Sequence, residues 1–486
     1  MSEPVCNTGS EPPESVPFKT KFAFGLGATA EQVCLRSFGI FALIYYNQVL
    51  DMPGSLAGIA LTIALLIDAV SDPLVGSVSD RFKSKKWGRR HPFLFMAPIP
   101  VAVSYYLIFN PPELGPSGLF VWFLVFSVCL RTFMTLFFVP HLAMGGELSK
   151  NYTERSKIMS YNNAFGYIGA AGIYWIAMST FFASTPDIPN GMLNEDGYKY
   201  MGMMCGAFTL IVLYVCAWYT RDRIPLLSQP KEDAPKFSFS EFVRDIKQAV
   251  TNRNYFFLLL GFFCLSVMLG AREGFDNYMS LFYWELKPEE MRFYVVGQIL
   301  AYLFGFTMTF RIHQLIDKRA TIVISAAGLA IFPAAPFILR VLGLFPENGE
   351  EGLLTWIVVF KFLGSASGAV LNISVMSALA DIADENELKF GDRQEGILYS
   401  ARTFFAKADQ ALGLFIAGLV IDLIQFPMDA EPGQVAADTL HSLGMVDGPY
   451  AVIPGLIAAC FYAGYRINRR RHREIAIALA QKQVPG

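Results

Sequence analysis

The sequence predicts an all-α membrane protein: twelve transmembrane helices in two six-helix halves, with both termini in the cytoplasm. Three observations carry this reading. The 486 residues are 53% hydrophobic and only 16% charged, whereas a soluble domain carries about 25% charged residues. Apolar blocks of about 20 residues, each long enough to cross a hydrocarbon core, recur from end to end. Lysine and arginine collect in alternate loops and acidic residues in the others, the pattern that fixes orientation in a membrane.

The spans fall at residues 22–50, 55–79, 92–111, 118–144, 158–183, 200–219, 255–284, 292–312, 320–343, 353–379, 397–425 and 450–467. Gly, Pro and Ser inside them are tolerated because neighbouring helices satisfy the freed backbone groups. Met1–Pro17 is acidic and rich in Pro and Ser. It lacks the basic and apolar regions of a signal peptide, so the first span is expected to act as its own insertion signal. Basic loops carry Arg81, Lys83, Lys85, Lys86, Arg89 and Arg90, then Lys150, Arg155 and Lys157, then Lys318 and Arg319, then Lys389 and Arg393. The opposite loops carry Asp187, Glu195 and Asp196, then Glu347, Glu350 and Glu351, then Asp429, Glu431 and Asp438. Both ends of the chain thus sit on the basic side, which requires an even number of spans.

The longest internal connection, residues 220–254, separates a half at 1–219 from a half at 255–468, and a basic tail follows at 469–486. Within that connection, Phe239–Val250 is amphipathic and basic, suited to an anionic inner leaflet. Such a plan of six plus six spans is the outline of a major-facilitator transporter, whose halves are parallel repeats. Gly76–Arg90 (GSVSDRFKSKKWGRR) and Gln314–Arg319 (QLIDKR) echo one another, each putting an Asp-basic pair at a cytoplasmic turn.

Charges inside the spans point to chemistry, because an intramembrane carboxylate costs at least about 2.5–3.5 kcal/mol. Asp68 and Asp72 lie in the second span, four residues apart and so on one helix face. Their mutual repulsion is relieved either by a cation between them or by basic residues from other helices. Ser71 is adjacent, and Pro73 frees a backbone carbonyl one turn earlier. Arg36, Arg131, Arg272, Glu273, Asp276, Asn372 and Arg402 are further buried polar residues that could bind solute or pair internally. The seven cysteines form no CxxC pair and read as packing residues. No phosphate loop, HExxH or metal-ligand spacing occurs, so ATP-driven transport, enzyme activity, a metal centre and a resident cofactor have no support. The RRRHR cluster at 469–473 reads as a topology determinant rather than a nucleic-acid contact.

Four stretches in order carry a family resemblance. LIDAVSDPLVGSVSDRFKSKKWGRRHPF resembles the helix-2 and loop signature of the glycoside–pentoside–hexuronide:cation symporters, the group of the melibiose permease. Pro140–Gly172 is similar to that family's helix 4 to helix 5 stretch, Ala380–Glu387 (ADIADENE) to its acidic motif, and Phe404–Gly413 (FFAKADQALG) to its helix-11 lysine segment. The resemblance implies a cation site of Asp68, Ser71, Asp72 and Thr135, with Lys407 balancing charge between loaded and empty states. Ser71 stands where the melibiose permease has an asparagine, which leaves both sodium and proton coupling open.

The sugar-recognition positions depart from that pattern. The counterparts of its helix-1 and helix-4 aspartates and helix-5 arginine are Glu31, Phe138 and Asn162. Together with Arg272, Glu273, Asp276, Asn372 and Arg402, these form the candidate solute site. Asp80, Arg81, Glu147, Arg155, Asp381, Asp384, Glu387 and Arg393 lie near inner ends of spans and suggest acid-base pairs between the halves that close the inner mouth.

The expectation is symport of a sugar, glycoside or uronide with sodium or a proton, by a monomer embedded in lipid in a cell inner membrane. A lysolipid-like solute on the same scaffold is the alternative, and a non-transporting membrane sensor is the reading from another class.

Overall fold

The computed structural model describes residues 15–84, 86–149, 151–186, 188–227, 244, 247, 250–390 and 395–483. Among these residues the chain is helical with short connections, and no strand occurs. Helix α1 spans Phe18–Ile44, α2 Gly54–Arg81, α3 His91–Phe109, α4 Pro116–Glu147, α5 Tyr152–Ile176 and α6 Glu195–Thr220. After the central connection come α7 Arg253–Tyr278, α8 Tyr294–Leu315, α9 Lys318–Val341, α10 Leu353–Phe390, α11 Glu395–Leu423, α12 Ala437–Tyr462 and α13 Arg469–Gln483.

Eleven helices among the described residues, α2 to α12, are long and apolar enough to cross a membrane. Helix α1 carries Lys19, Lys21, Glu31 and Arg36 and is not among them, yet it packs into the same bundle. Large apolar side chains on the outside have no soluble counterpart: Leu303, Phe306 and Phe310 of α8 are exposed along one helix face. Hydrocarbon is the solvent that suits that face.

Two boundaries differ from expectation. The twelfth span begins at Ala437 rather than 450, because Asp438, His441 and Ser442 disguise its first turns. A kink at Gly448 (φ −85°, ψ −106°), beside Pro449, joins the two parts. Helix α10 runs on to Phe390, past the expected end at 379, so the acidic ADIADENE stretch is helical. The amphipathic segment Phe239–Val250 lies outside the described residues, apart from residues 244, 247 and 250.

Helix α1 packs on α5 and α6, α4 on α2 and α3, and α3 on α6; α7 packs on α11 and α12, α10 on α8 and α9, and α9 on α12. The two groups meet mainly along α2 and α11, with smaller contacts of α1 with α7 and of α5 with α8. Glycine permits the main junction. A Cβ on Gly418 of α11 would come 2.3 Å from the Gly54 carbonyl oxygen of α2, closer than a side chain tolerates. This contact sets α11 against the span that carries Asp68 and Asp72.

Candidate functional site

The two carboxylates of α2 do not stand alone. Lys407 Nζ of α11 donates to Asp68 Oδ2 at 2.8 Å and to Asp72 Oδ2 at 2.6 Å. Thr135 Oγ1 of α4 lies 2.6 Å from Asp68 Oδ1 and 3.2 Å from Asp72 Oδ1. Arg131, one helical turn before Thr135, reaches Asp68 Oδ2 at 3.4 Å. Each contact follows from spacing: 68 and 72 share a face of α2, and 131 and 135 share a face of α4. Lys407 comes from the other group of helices, so its ammonium spans the junction between them.

The arrangement has a definite proton count. A threonine hydroxyl has one hydrogen to donate. With Asp68 Oδ1 nearer, that hydrogen serves Asp68, and Asp72 Oδ1 is left facing an oxygen. Formal charges of Asp68 and Asp72 against Lys407 and Arg131 cancel. Asp68 is only 6% exposed. The Asp72 side chain, at 27%, is the more open of the two carboxylates. Ser71, expected as a ligand, turns its hydroxyl to the Asp68 carbonyl at 3.1 Å, a bond within α2.

The candidate solute residues divide into several settings. Glu31 of α1 is buried within electrostatic range of Lys407, Asp68 and Asp72. Phe138 lies three residues beyond Thr135 on α4, half-buried. Asn162 of α5 is buried with its Oδ1 unpaired. On α7 the three charges point different ways. Glu273 accepts from Gln410 of α11 at 2.6 Å and approaches Gly39 of α1 across the junction. Asp276 pairs with Lys361 of α10, and Arg272 donates to the Ala330 carbonyl of α9 at 3.3 Å. Arg402 of α11 donates to Asn372 of α10 at 3.2 Å and stacks on Phe262. The structure therefore places Glu31 and Glu273 near the junction, while Arg272, Asp276, Asn372 and Arg402 are held by partners within the second group.

Among the described residues, the ion pairs of Asp80, Glu147 and Asp381 at the basic end lie within one group, whereas pairs across the junction were expected. Asp80 meets Arg90 at 2.6 Å, and Glu147 meets Arg89 at 2.5 Å and Arg90 at 2.9 Å. Arg81 donates to Ser77 of its own helix, and Arg155 to the Ser149 carbonyl. Asp381 meets Lys318 at 2.5 Å, Tyr465 Oη at 2.9 Å and His472 at 3.5 Å, all from the second group. Asp384 and Glu387 continue the same helix, half-buried, and Arg393 lies outside the described residues.

Besides the Lys407 bonds, further bonds cross the junction at the acidic end, and sequence reasoning missed these. Asp422, near the end of α11, accepts from the Gly54 and Ser55 amides at 2.8 Å each, capping the N-terminus of α2. Glu289 accepts from the Ser184 amide at 2.6 Å and its hydroxyl at 3.0 Å. Tyr278 Oη donates to Asn47 at 2.6 Å. Lys361 and Gln410 were missed too, although a lysine inside an apolar span is the same signal that marked Lys407.

The fold and the site thus define a bundle of helices long and apolar enough to cross a membrane, in two groups, with Lys407 of one paired to Asp68 and Asp72 of the other. Residues 23–469 match the model of the MFS/sugar transport protein family, and the chain belongs to that family, the symporter group its motifs resemble. The isoprimeverose transporter of Lactiplantibacillus pentosus is 21% identical, over 94% of this chain and 92% of its own. A sodium-dependent lysophosphatidylcholine symporter of Xenopus tropicalis is 25% identical, over 95% and 89%. Among solved structures, the xylose transporter XylE from E. coli has the same fold (TM-score 0.56, 14% identity, 93% of this chain and 98% of its own).

Proposed function

We propose that this transporter carries a sugar, glycoside or uronide together with sodium or a proton by alternating access, as a monomer of twelve spans in a bacterial inner membrane. In this reading both termini are cytoplasmic, residues 1–219 and 255–468 are the rocking halves, and α1 is the first span despite its charges. One observation carries the coupling: Lys407 of one half is shared between Asp68 and Asp72 of the other.

A cation entering beside Thr135 competes with the ammonium for the same carboxylates. It repels Lys407 in a site where charge is poorly screened, and the lysine then turns toward Glu31 on the solute side. Solute occupancy and cation occupancy each favour the same arrangement of Lys407, which makes the coupling reciprocal. Glu31 and Glu273 supply acceptors for sugar hydroxyls near the junction.

The lysolipid reading has its own support: Phe138 removes one directional polar group, and the Xenopus relative is named for such a solute. Uptake into reconstituted vesicles, with radiolabelled sugars and uronides competed by lysolipid, decides between them. Accumulation of a sugar driven by an imposed sodium or proton gradient, and insensitive to lysolipid, is the expected result. Competition by lysolipid alone overturns the sugar assignment.

A further inference from the structure

Two residues beyond Lys407, the same helix buries an acid that the cation cluster does not use. A step of two residues turns about 200° around a helix, so Asp409 faces away from Asp68 and Asp72, into the second group of helices. It is 2% exposed, and its Oδ2 has no hydrogen-bond partner. Tyr462 of α12 is fully buried, and its hydroxyl also lacks a partner. Asp409 lies within electrostatic range of Tyr462 and of Cys264 on α7. Arg402, two turns earlier on α11, also acts on Tyr462 but is engaged with Asn372 and Phe262. Glu273 of α7 is held on Gln410, the next residue round the helix.

The backbones of α7 and α11 seal this place from the junction. A Cβ on Gly413 would fall 2.5 Å from the Val267 carbonyl oxygen, and one on Gly270 would fall 2.6 Å from that of Gln410. No water channel passes between helices so close. An ionised carboxylate without a donor does not belong there, whereas a protonated one does. Ionisation leaves an anion that needs a hydrogen bond, and the Tyr462 hydroxyl is a donor still unspent.

We propose that Asp409 is a proton-binding site of the transporter, separate from Asp68 and Asp72, with Tyr462 as the donor that receives it when it ionises. The step is a bare exchange: when the second group loosens enough to admit water, the acid releases its proton to that water, and the tyrosine O–H turns to the carboxylate. The proposal rests on the symport reading only for its purpose, which is to make the second half's opening respond to pH.

Infrared difference spectroscopy of the reconstituted protein between acid and alkaline pH tests it without a solute. Wild type should lose a protonated-carboxyl C=O band on alkalinisation, and that component should be missing from Asp409→Asn while present in Asp72→Cys. Tyr462→Phe, which removes the donor to the ionised form, should move the band's midpoint to higher pH. Superimposable spectra for wild type and Asp409→Asn, or an Asp409 band that persists at every pH, overturn the proposal and leave a permanently neutral core acid. Symport fails by a different result, an unchanged cation response of Asp72→Cys uptake, so the two readings are judged apart.

Discussion

Thr135 offers one hydrogen to two carboxylates, and the coupling chemistry follows from that shortage. Its bond to Asp68 is a hydrogen bond to a charged group, a class worth about 1.5–3 kcal/mol. Thr135→Ala should therefore weaken cation activation of uptake by about ten- to a hundredfold, with little change once cation saturates. A titration of uptake against sodium and against pH checks it. Lys407→Ala should leave Asp68 and Asp72 unbalanced and bind cation without passing the signal to solute, so cation binding survives while accumulation is lost. Much of this cluster was legible, because charges in apolar spans are rare and the 68/72 spacing fixes a shared face. Its partners were less so. Arg131 was indistinguishable from a solute ligand until packing put it on Asp68, and Ser71 looked like a ligand until its hydroxyl turned to its own helix.

At the scale of helices, the contacts across the acidic end lie where sequence reasoning did not look. Basic and acidic residues at inner ends suggested a gate, yet a charge pattern says which residues are near the surface, not which helix each will meet. Asp80, Glu147 and Asp381 found partners in their own group. The acidic-end latch depends instead on backbone amides at the start of α2, which no side-chain pattern reveals, and on an ordinary-looking Asp422. An anion on unpaired helix N-terminal amides contributes about 0.5–2 kcal/mol. Asp422→Asn should accordingly favour opening at the acidic end by about two- to thirtyfold. Ala430→Cys, placed beside Gln48, reports this as faster labelling by an impermeant thiol reagent in the Asp422→Asn background. Unchanged labelling there contradicts the latch. Helix boundaries failed for a related reason: α12 begins with polar residues that hydropathy excludes, and only packing shows them to be helical.

For the whole molecule, the fold class was read from composition, block length and loop charge, since the bilayer imposes all three on the sequence. Solute identity was not, because it depends on which polar groups remain unspent after packing, and Arg272, Asp276, Asn372 and Arg402 are spent. Orientation is testable directly: reporters fused at either end should be active only in the cytoplasm, and a reporter in the 342–352 connection only outside. The account as a whole stands on a cation displacing Lys407 from Asp68 and Asp72. Charge displacement on a solid-supported membrane, after a sodium or acid jump in the absence of solute, measures that event. A transient current in wild type that disappears in Asp72→Cys is the predicted outcome; a current of equal size and cation dependence in both would contradict it.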